Sequence, residues 1–306
     1  MVPRLSFSFL ALLLAIVLPS PSSQFTPALP LLPLPLSFPS PILLPTQTWN
    51  LKQVSQQSLN ILKVSTSAPL ELSDRPTLVV LDRTAHGSNV DTTKGTIAAL
   101  VDIKMTSSSK YSLKKSLRSV RLVGLARCTI EDIQSRSDPL DDTLEGVVRA
   151  CLSDEQIDGV GRPSFHSPVS DVVKLNQLLR AAGRAHDRRR RVYSEFIAAG
   201  LDGIVDECFN GFDAIVDEGV RRLQLFYNPS YFKDTNYDSE LNRLVIGSYC
   251  ALKIVQTASE DWELRKFTEI TSARDRYEKA IEVMERHTVE MRKKIDELEK
   301  RPGGLV

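Results

Sequence analysis

The chain has 306 residues, of which 42% are hydrophobic and 25% are charged, and its formal net charge is +1. This balance is typical of a globular protein with one large domain or two small ones, and nothing in it indicates a nucleic acid or an acidic partner. The four cysteines, Cys128, Cys151, Cys208 and Cys250, are scattered and form no C-x-x-C pair. We interpret them mostly as buried thiols rather than as metal ligands or a disulfide bridge.

The first 24 residues have the layout of a secretory signal peptide. Arg4 precedes an apolar run from Leu5 to Leu18, and small residues and prolines follow that run. The run is too short and wrongly flanked for a membrane span, so a cleaved signal is favoured over an uncleaved signal anchor. We therefore expect residues 1–24 to be a targeting peptide and the mature protein to lack a membrane anchor.

Phe25 lies directly after this segment, within SSQFTP, and no Asp or Glu precedes Glu71. An aromatic residue at that point, in acid-poor sequence, resembles the bipartite plastid presequences of algae with secondary plastids. The sequence therefore predicts a plastid location, reached through a signal plus a short transit sequence. The alternative location is the secretory pathway or the lumen of the endoplasmic reticulum.

Proline dominates the next segment, because ten of the seventeen prolines lie within the first fifty residues. Proline lacks an N–H and has a fixed φ, so this segment cannot form a helix or a central strand. A polyproline linker or ligand would rarely be this rich in Leu, Ile and Phe, so two short edge strands are predicted, LPLLPL (29–34) and PILLPT (41–46). Residues 51–64 have apolar side chains loosely at helical spacing, which predicts a helix.

Three apolar segments then have the character of buried strands. They are PTLVVLD (76–82), KGTIAALVDI (94–103) and VRLVGLARCTIEDI (120–133). A glycine inside a strand usually marks a bulge or a close backbone approach, and neither Gly95 nor Gly124 belongs to a phosphate-binding P-loop pattern. We therefore predict that Gly95 and Gly124 are structural residues of a compact β fold.

From Val169 the pattern becomes helical. Residues 170–227 carry apolar side chains at spacings of mostly three and four, which predicts a helix or a helix pair that buries one face. Within this region GLDGIVDE (200–207) recurs as GFDAIVDE (211–218), eleven residues further on. Eleven residues close three helical turns, so both copies of the repeat are predicted to face the same way.

The repeat predicts one acidic row, made of Asp202, Asp206, Asp213 and Asp217. Carboxylates at i and i+4 can bind a divalent cation, but a solvated face, paired with Arg188–Arg191, is the favoured interpretation. The four arginines could instead contact phosphate or RNA. No other nucleic-acid motif accompanies them, so we expect no nucleic-acid partner.

The C-terminal third predicts further helices. Ser259 is a natural N-cap because acidic residues follow it. A later helix carries an apolar seam, and Pro302-Gly303 is predicted to end this helix. The seam consists of Tyr277, Ile281, Met284, His287, Met291, Ile295 and Leu298. We interpret His287 as a core or boundary residue rather than as a ligand.

The order of these motifs resembles the N-terminal domain of the Lon protease family, which is also called the Lon substrate-binding domain. The family's opening LPLLPL corresponds to residues 29–34, and its Phe-Pro and Leu-Pro pairs correspond to residues 38–39 and 44–45. Its G-T-x-A strand corresponds to residues 95–98. Its G-x-x-R-x-x-I strand corresponds to Gly124, Arg127 and Ile130.

The resemblance extends to about residue 300. A family strand of L-V-A-R-V type, followed by an acidic turn, is similar to residues 144–156. The terminal helices of the family are similar to the segments that begin SYCA (248–251) and SEDW (259–262). Residues 157–240 are the least similar and resemble an enlarged helical region.

This resemblance implies an α+β fold. It comprises a PUA-like β pseudo-barrel within residues 25–156 and a helical bundle with long helices within residues 157–306, and it implies a structural role for Arg127. It also implies a domain that recognises unfolded or client protein segments, in the groove between the two halves, in organellar protein quality control. The alternative is an assembly or structural subunit of a larger organellar complex that docks through its long helices.

The sequence lacks the signatures of catalysis. It contains no P-loop, no G-x-S-x-G, no H-E-x-x-H and no Cys/His spacing suited to zinc. We therefore expect no enzyme activity, no cofactor and no metal. A hydrolase whose nucleophile and base meet only on folding is the third hypothesis. The oligomeric state is not indicated by any motif.

Overall fold

The computed structural model describes ten segments and four single positions of the chain. They are residues 29–33, 40–54, 77–83, 90–105, 118–135, 144–151, 168–201, 210–225, 240–256 and 272–300, with positions 259, 263, 266 and 270. The strands are β1 (Leu29–Pro33), β2 (Thr48–Val54), β3 (Thr77–Arg83), β4 (Val90–Met105), β5 (Arg118–Ser135) and β6 (Leu144–Cys151). The helices are α1 (Pro168–Ala198), α2 (Phe212–Leu225), α3 (Glu240–Gln256) and α4 (Ala273–Glu299). The predicted α+β class, with strands first and helices after them, is confirmed.

The six strands form one sheet that closes on itself. Their order is β2-β5-β4-β3-β1-β6, and β6 pairs in addition with β5. β1 and β3 are parallel, and the other neighbours are antiparallel. Closure leaves β1 with a neighbour on each side, so the prediction of an edge strand at this position is wrong.

One long strand, β5, makes the closure possible. Its first part pairs with β2, its second part pairs with β6, and β4 accompanies both parts. Ile97 pairs with Ala126 whereas Ala98 pairs with Gly124, so Leu125 is an extra residue at this point. Such a bulge bends a strand and increases its twist, which allows β5 to serve both neighbours.

Residues 40–47, which we call the junction loop, form an irregular segment instead of the predicted strand PILLPT. Pro41 and Pro45 offer no N–H to a neighbouring strand. Leu43 and Leu44 are both fully buried, and they belong to different hydrophobic clusters. The apolar content of this segment is therefore explained by packing in two directions rather than by strand pairing.

The predicted helix over residues 51–64 is wrong in its first residues, because Thr48–Val54 form β2. Leu51 pairs with Val120 of β5 in the antiparallel ladder. A short apolar pattern fits either period, and here the available neighbouring strand decides the conformation. Residues 55–64 lie outside the described residues.

A glycine ends α1 and interrupts the acidic repeat. Gly200 has φ = 74°, its N–H donates to the carbonyl of Ile197 at 2.9 Å, and the N–H of Leu201 donates to the carbonyl of Phe196 at 3.2 Å. These two hydrogen bonds form a Schellman motif, the usual glycine-dependent end of a helix. Gly211 is not helical and α2 begins only at Phe212, so the two copies of the repeat do not share one continuous helix. Residues 202–209 lie outside the described residues.

The two longest helices, α1 and α4, pack side by side and run in the same direction. Arg188 contacts Glu285, and Glu195 contacts Arg292 about two turns further along both helices. Ser272 caps α4, since its hydroxyl accepts a hydrogen bond from the N–H of Asp275 at 3.0 Å. The seam predicted on α4 is confirmed, because Tyr277, Met284, Met291 and Ile295 are buried and the other seam residues are partly buried. Pro302-Gly303 lies outside the described residues.

One hydrophobic core joins the sheet to the helices. It includes Leu44 and Val123 on the sheet side and Phe212, Cys250 and Tyr277 on the helices. Burying side chains of this size stabilises a fold by roughly 1.5–3 kcal/mol each. Cys128 and Cys250 are buried free thiols, as predicted.

Two smaller clusters lie apart from this core. Trp49, Leu43 and Leu122 belong to a cluster of the sheet, and Phe196 and Met291 belong to a cluster between α1 and α4. None of the described helices has both the length and the apolar run that a bilayer crossing requires.

Candidate functional site

Gly124 is the point at which β5 meets the junction loop. The N–H of Thr46 donates to the carbonyl of Gly124 at 2.8 Å, and the N–H of Gly124 donates to the carbonyl of Gln47 at 2.9 Å. A Cβ atom on Gly124 would lie 2.3 Å from the carbonyl oxygen of Leu44. Only a glycine leaves room for this approach, and its structural role stays a prediction that substitution can test.

Gly95 makes a similar approach on β4. A Cβ atom at this position would lie 2.7 Å from Cγ1 of Val79 and 2.8 Å from the carbonyl oxygen of Val80. Gly95 is fully within the paired part of β4, opposite Leu81 of β3 and Cys128 of β5. The two motif glycines thus bring β3, β4, β5 and the junction loop close together.

Arg127 lies at the centre of a buried polar network. Its Nη1 donates to Oδ1 of Asp82 and to Oγ1 of Thr96, both at 2.8 Å, and its Nη2 donates to the other carboxylate oxygen of Asp82. Thr96 in turn donates to the carbonyl of Leu43 at 2.5 Å. Burial opposes the charge of Arg127, but the carboxylate of Asp82 more than compensates, and the pKa of Arg127 is raised. The network therefore holds the junction loop against the sheet.

The junction loop is also bound to α3. The side-chain amide of Gln47 donates to Oε1 of Gln256 at 2.8 Å, and the amide of Gln256 donates to Oγ of Ser40 at 3.0 Å. Both ends of the loop are thus held by one residue of α3. The loop therefore connects the sheet to α3 by side-chain hydrogen bonds.

An open cavity of about 350 Å³ lies beside the junction loop, where the loop meets α2 and α3. Thr46 of the loop, Lys253 of α3 and one face of α2 line it. The residues of that face are Ala214, Ile215, Glu218, Gly219 and Arg222, and Asn210 lines the cavity just before α2 begins. Their spacing of three and four residues is that of a single helix face. Cavities of a few hundred cubic ångströms between structural units are the usual places where ligands bind.

Thr46 forms an unusual part of the cavity wall. Its φ of 70° lies in the left-handed region, which a β-branched residue rarely adopts. Such a conformation costs on the order of 1–3 kcal/mol and persists only where the surroundings impose it. Here the hydrogen bond to Gly124 and the contact of Oγ1 with Sγ of Cys250 at 3.6 Å impose it.

Gly219 allows α2 to approach the same point from the other side. A Cβ atom on Gly219 would lie 2.9 Å from Sγ of Cys250 and 3.1 Å from Cγ2 of Thr46. A glycine in the interior of a helix costs about 1 kcal/mol relative to alanine, so it usually has a packing reason. This signal was present in the sequence, and sequence reasoning missed it.

The charged residues among the described lining of the cavity are Glu218, Arg222 and Lys253. Oε2 of Glu218 accepts hydrogen bonds from Nε and Nη2 of Arg221, at 2.9 and 2.6 Å, and Oε1 accepts one from Nε of Arg222 at 2.8 Å. Burial opposes the ionised form of Glu218, but these hydrogen bonds prevail and its pKa is lowered. Glu218 is therefore ionised and hydrogen-bonded to Arg221 and Arg222. Arg222 and Lys253 bring positive charge to the cavity wall.

The residues predicted as structural do not line the cavity themselves. Gly124 and Arg127 hold the junction loop, and the loop supplies Thr46 to the cavity. Of the acidic row, Asp213 and Asp217 are exposed on α2, and Asp217 forms an ion pair with Arg243 at 2.5 Å. Asp202 and Asp206 lie outside the described residues.

The arginine cluster of α1 is predicted only as a partner of the acidic row, and the structure gives Arg188 and Arg189 other partners. Arg189 is fully buried, and it donates from Nε to Nδ1 of His287 at 3.0 Å and from Nη1 to the carbonyl of Ile254 at 3.3 Å. Arg188 forms an exposed ion pair with Glu285. Arg189 is buried because it lies on the side of α1 that packs against α3 and α4. The solvated face predicted for the acidic row is found at Asp213 and Asp217, the two members of the row that the structure describes.

Two histidines lie near this buried arginine. Burial and the charge of Arg189 lower the pKa of His287 to about 4. His186 is fully buried, its Nε2 lies 2.9 Å from the carbonyl oxygen of Asn210, and burial lowers its pKa as well. The interpretation of His287 as a core or boundary residue is confirmed. Within the described ranges, no three His, Cys, Asp or Glu side chains come together as metal ligands.

No family model matches the chain, and no curated protein matches it. Among solved structures it is similar to the N-terminal domain of the Mycobacterium avium complex Lon protease. That similarity covers 84% of this chain and 98% of that one, at 12% identity and a TM-score of 0.41. It is also similar to a Lon N-terminal domain protein from Xanthomonas campestris, over 41% of this chain and 60% of that one, at 19% identity and a TM-score of 0.28. Both are Lon N-terminal domains, the type that the sequence motifs predicted.

Proposed function

We propose that this protein is a non-catalytic domain of the Lon N-terminal type that binds segments of other proteins. Its ligands are unfolded or client chains in organellar protein quality control. The binding site is the junction cavity, between the junction loop, α2 and α3.

The observation that carries this proposal is the cavity at the meeting point of the two halves. Its volume of about 350 Å³ suits a few side chains rather than a large cofactor. It has apolar wall residues, Ala214 and Ile215, next to the polar Thr46 and Arg222. A mixed lining of this kind can accept the side chains and the backbone of an extended segment.

The cavity chemistry supports binding without catalysis. A general base needs a free lone pair and a pKa near the working pH. The carboxylate of Glu218 is occupied by two arginines, and its pKa is lowered. The Cys250 thiol behind the cavity wall is 1% exposed and is covered by Thr46 and Gly219.

Binding of an unfolded protein to the purified chain tests the proposal. The probe is reduced, carboxymethylated α-lactalbumin carrying a fluorescent label, and its folded form is the reference. We expect saturable binding of the unfolded form, with neither proteolysis nor ATP hydrolysis above a heat-inactivated control. Binding of both forms alike, or turnover of the probe, contradicts the proposal.

A pair of variants locates the binding site. Ala214→Trp fills the cavity from an exposed position on α2, and Ala198→Trp makes the same change at an exposed alanine near the end of α1. We expect Ala214→Trp to weaken binding by at least about tenfold, which corresponds to 1.4 kcal/mol, and Ala198→Trp to leave it unchanged. Equal effects of the two variants would move the binding site away from the cavity.

A second candidate function is that of a structural subunit in a larger complex. The parallel pair of α1 and α4 favours it, because its far end has a hydrophobic cluster of its own around Phe196 and Met291. Affinity purification of the mature protein after chemical crosslinking distinguishes the two. One stoichiometric partner supports the subunit, and many unfolded partners support the client-binding domain.

The plastid location belongs to the same proposal. It rests on the signal-like segment before Phe25 and on the acid-poor sequence that follows. Mass spectrometry of the mature N-terminus tests it. An N-terminus well beyond Phe25 supports removal of a transit sequence, whereas one at residues 23–25 supports the secretory pathway.

A further inference from the structure

We propose that the junction cavity recognises a carboxylate on the bound protein segment. The carboxylate is either the free C-terminus of a chain or an acidic side chain. This inference rests on the proposed function and names the chemical group that the cavity selects.

The first step concerns the acceptor side of the cavity. Among the described lining residues Glu218 is the one carboxylate, and both its oxygens accept hydrogen bonds from Arg221 and Arg222. Its pKa is lowered, so it holds its negative charge within this network. A cationic ligand would have to compete with two guanidinium groups that are already bound to Glu218.

The second step concerns the orientation of Arg222. Its Nε is bound to Glu218 at 2.8 Å, and its Nη1 donates to Oγ1 of Thr48 at 3.1 Å. Within the described part of the chain its Nη2 has no hydrogen-bond partner, and the side chain is 33% exposed at the cavity wall. The guanidinium is therefore held in place, with one nitrogen left to bind a ligand. A preorientated guanidinium is the preferred partner of a carboxylate.

The third step concerns the opposite wall. Lys253 of α3 supplies an ammonium group, and Thr46 of the junction loop supplies a hydroxyl. Within the part of the lining that the structure describes there are two cations, Arg222 and Lys253, and one carboxylate, which is bound to arginines. A ligand carboxylate would meet donors on both sides, because guanidinium and ammonium groups only donate and the hydroxyl can donate.

Peptide binding to the full chain tests the inference. The probe is a fluorescein-labelled octapeptide of alanine, serine and leucine, prepared with a free C-terminal carboxylate or with a C-terminal amide. Each of these is made with either glutamate or glutamine in the middle of the peptide. We expect the forms that carry a carboxylate to bind about tenfold more tightly than the amidated glutamine form. The carboxylate–amide pair and the glutamate–glutamine pair distinguish the two sources of the group.

Variants of the two cations connect the preference to the cavity. Arg222→Gln and Lys253→Gln should each remove most of the tenfold preference while binding of the neutral peptide persists. Arg274→Gln is the matched control. Arg274 forms an ion pair with Glu278 of the same i, i+4 type, at 2.7 Å, on α4 and outside the cavity lining. It should keep the full preference. Circular dichroism verifies that each variant is folded, and Lys253→Gln carries the test if Arg222→Gln is not.

The outcomes separate the two proposals. A preference for carboxylates that the two cavity variants lose and Arg274→Gln keeps supports the inference. Equal binding of all four peptides, together with a loss of binding in Ala214→Trp, overturns the carboxylate inference and leaves the proposed function standing. Failure to bind any peptide or unfolded α-lactalbumin overturns both.

Discussion

The sheet and the helices both bury arginine side chains, and Arg127 of the sheet has different partners from Arg189 of the helices. In the sheet, Arg127 makes a two-pronged contact with the carboxylate of Asp82 and a third hydrogen bond to Thr96. In the helices, Arg189 donates to the imidazole of His287 and to a backbone carbonyl. The pKa of Arg127 is raised beside Asp82, so the guanidinium keeps its charge. An imidazole can take up a proton near physiological pH, so the contact of Arg189 depends on a neutral His287.

The largest expected effect concerns the carboxylate-bound arginine. Arg127→Met leaves Asp82 buried without its partner, and we expect a loss of about 3–5 kcal/mol in the free energy of unfolding, measured with urea. Arg121→Met is the control on the same strand. Arg121 is exposed and contacts Asn50, so its substitution should cost at most about 0.5 kcal/mol. Similar losses in the two variants would show that the buried network has no special role.

Glycine-to-alanine substitutions should change the stability in opposite directions in the two regions. In Gly124→Ala the new methyl group meets the carbonyl of Leu44, and we expect a loss of about 1–3 kcal/mol. In Gly183→Ala, inside α1, the methyl group meets only Cδ1 of Phe212 at an ordinary 3.6 Å. Alanine favours the helix, so a gain of up to about 1 kcal/mol is expected. Thermal melts of both variants measure this, and an unchanged Gly124→Ala protein would contradict the close approach.

The histidine-bound arginine predicts an acid-sensitive stability. His287 has a pKa of about 4 in the folded protein, below its ordinary 6.5, because of burial and of the positive groups Arg189, Lys294 and Arg286. As pH falls below 6.5 the unfolded state takes up the proton first, so the stability from this group is lost between pH 6.5 and 4. We expect the free energy of unfolding to fall by about 1–2 kcal/mol over this range, a figure that allows for solvent screening of a partly exposed ring.

His287→Gln isolates this effect. Glutamine keeps an acceptor for Arg189 and does not titrate in this range. Urea unfolding at pH 7, 5.5 and 4.5 should show a smaller decline in the variant than in the wild type. Parallel declines in the two proteins would assign the acid sensitivity to other groups, such as His186.

The smallest effect is expected at the acidic row. Changing Asp202, Asp206, Asp213 and Asp217 together to asparagine should change stability by at most about 1 kcal/mol, since exposed ion pairs such as Asp217–Arg243 contribute little. Calcium or magnesium should leave the melting temperature of wild type and variant unchanged. A rise in melting temperature with metal in the wild type alone would reveal a cation site.

Sequence reasoning succeeded where local pattern and structure agree. The runs around Val79, Ile97 and Leu122 are strands because each contains apolar residues of high β propensity, and the seam of α4 follows the helical period. The glycine motifs pointed to close backbone approaches, and such approaches occur at Gly95 and Gly124.

Sequence reasoning failed where contacts with distant segments of the chain decide the conformation. Nothing near Thr46 in the sequence indicates a left-handed residue, because the conformation is imposed by Gly124 and by Cys250, 204 residues away. The burial of Arg189 depends on α3 and α4, which its own helix does not reveal. The cavity combines residues of three separate segments, so no single pattern predicts it.

The contacts of the junction loop also have a consequence for the order of folding. Gln47 and Ser40 are bound to Gln256, across 209 and 216 residues of chain. Contacts of such sequence separation form slowly, and on the ribosome their partner emerges after the whole sheet. We therefore expect the loop to lock last, when α3 docks. Pulsed hydrogen exchange during refolding would detect this as late protection of the Thr46 amide relative to the amides of β4.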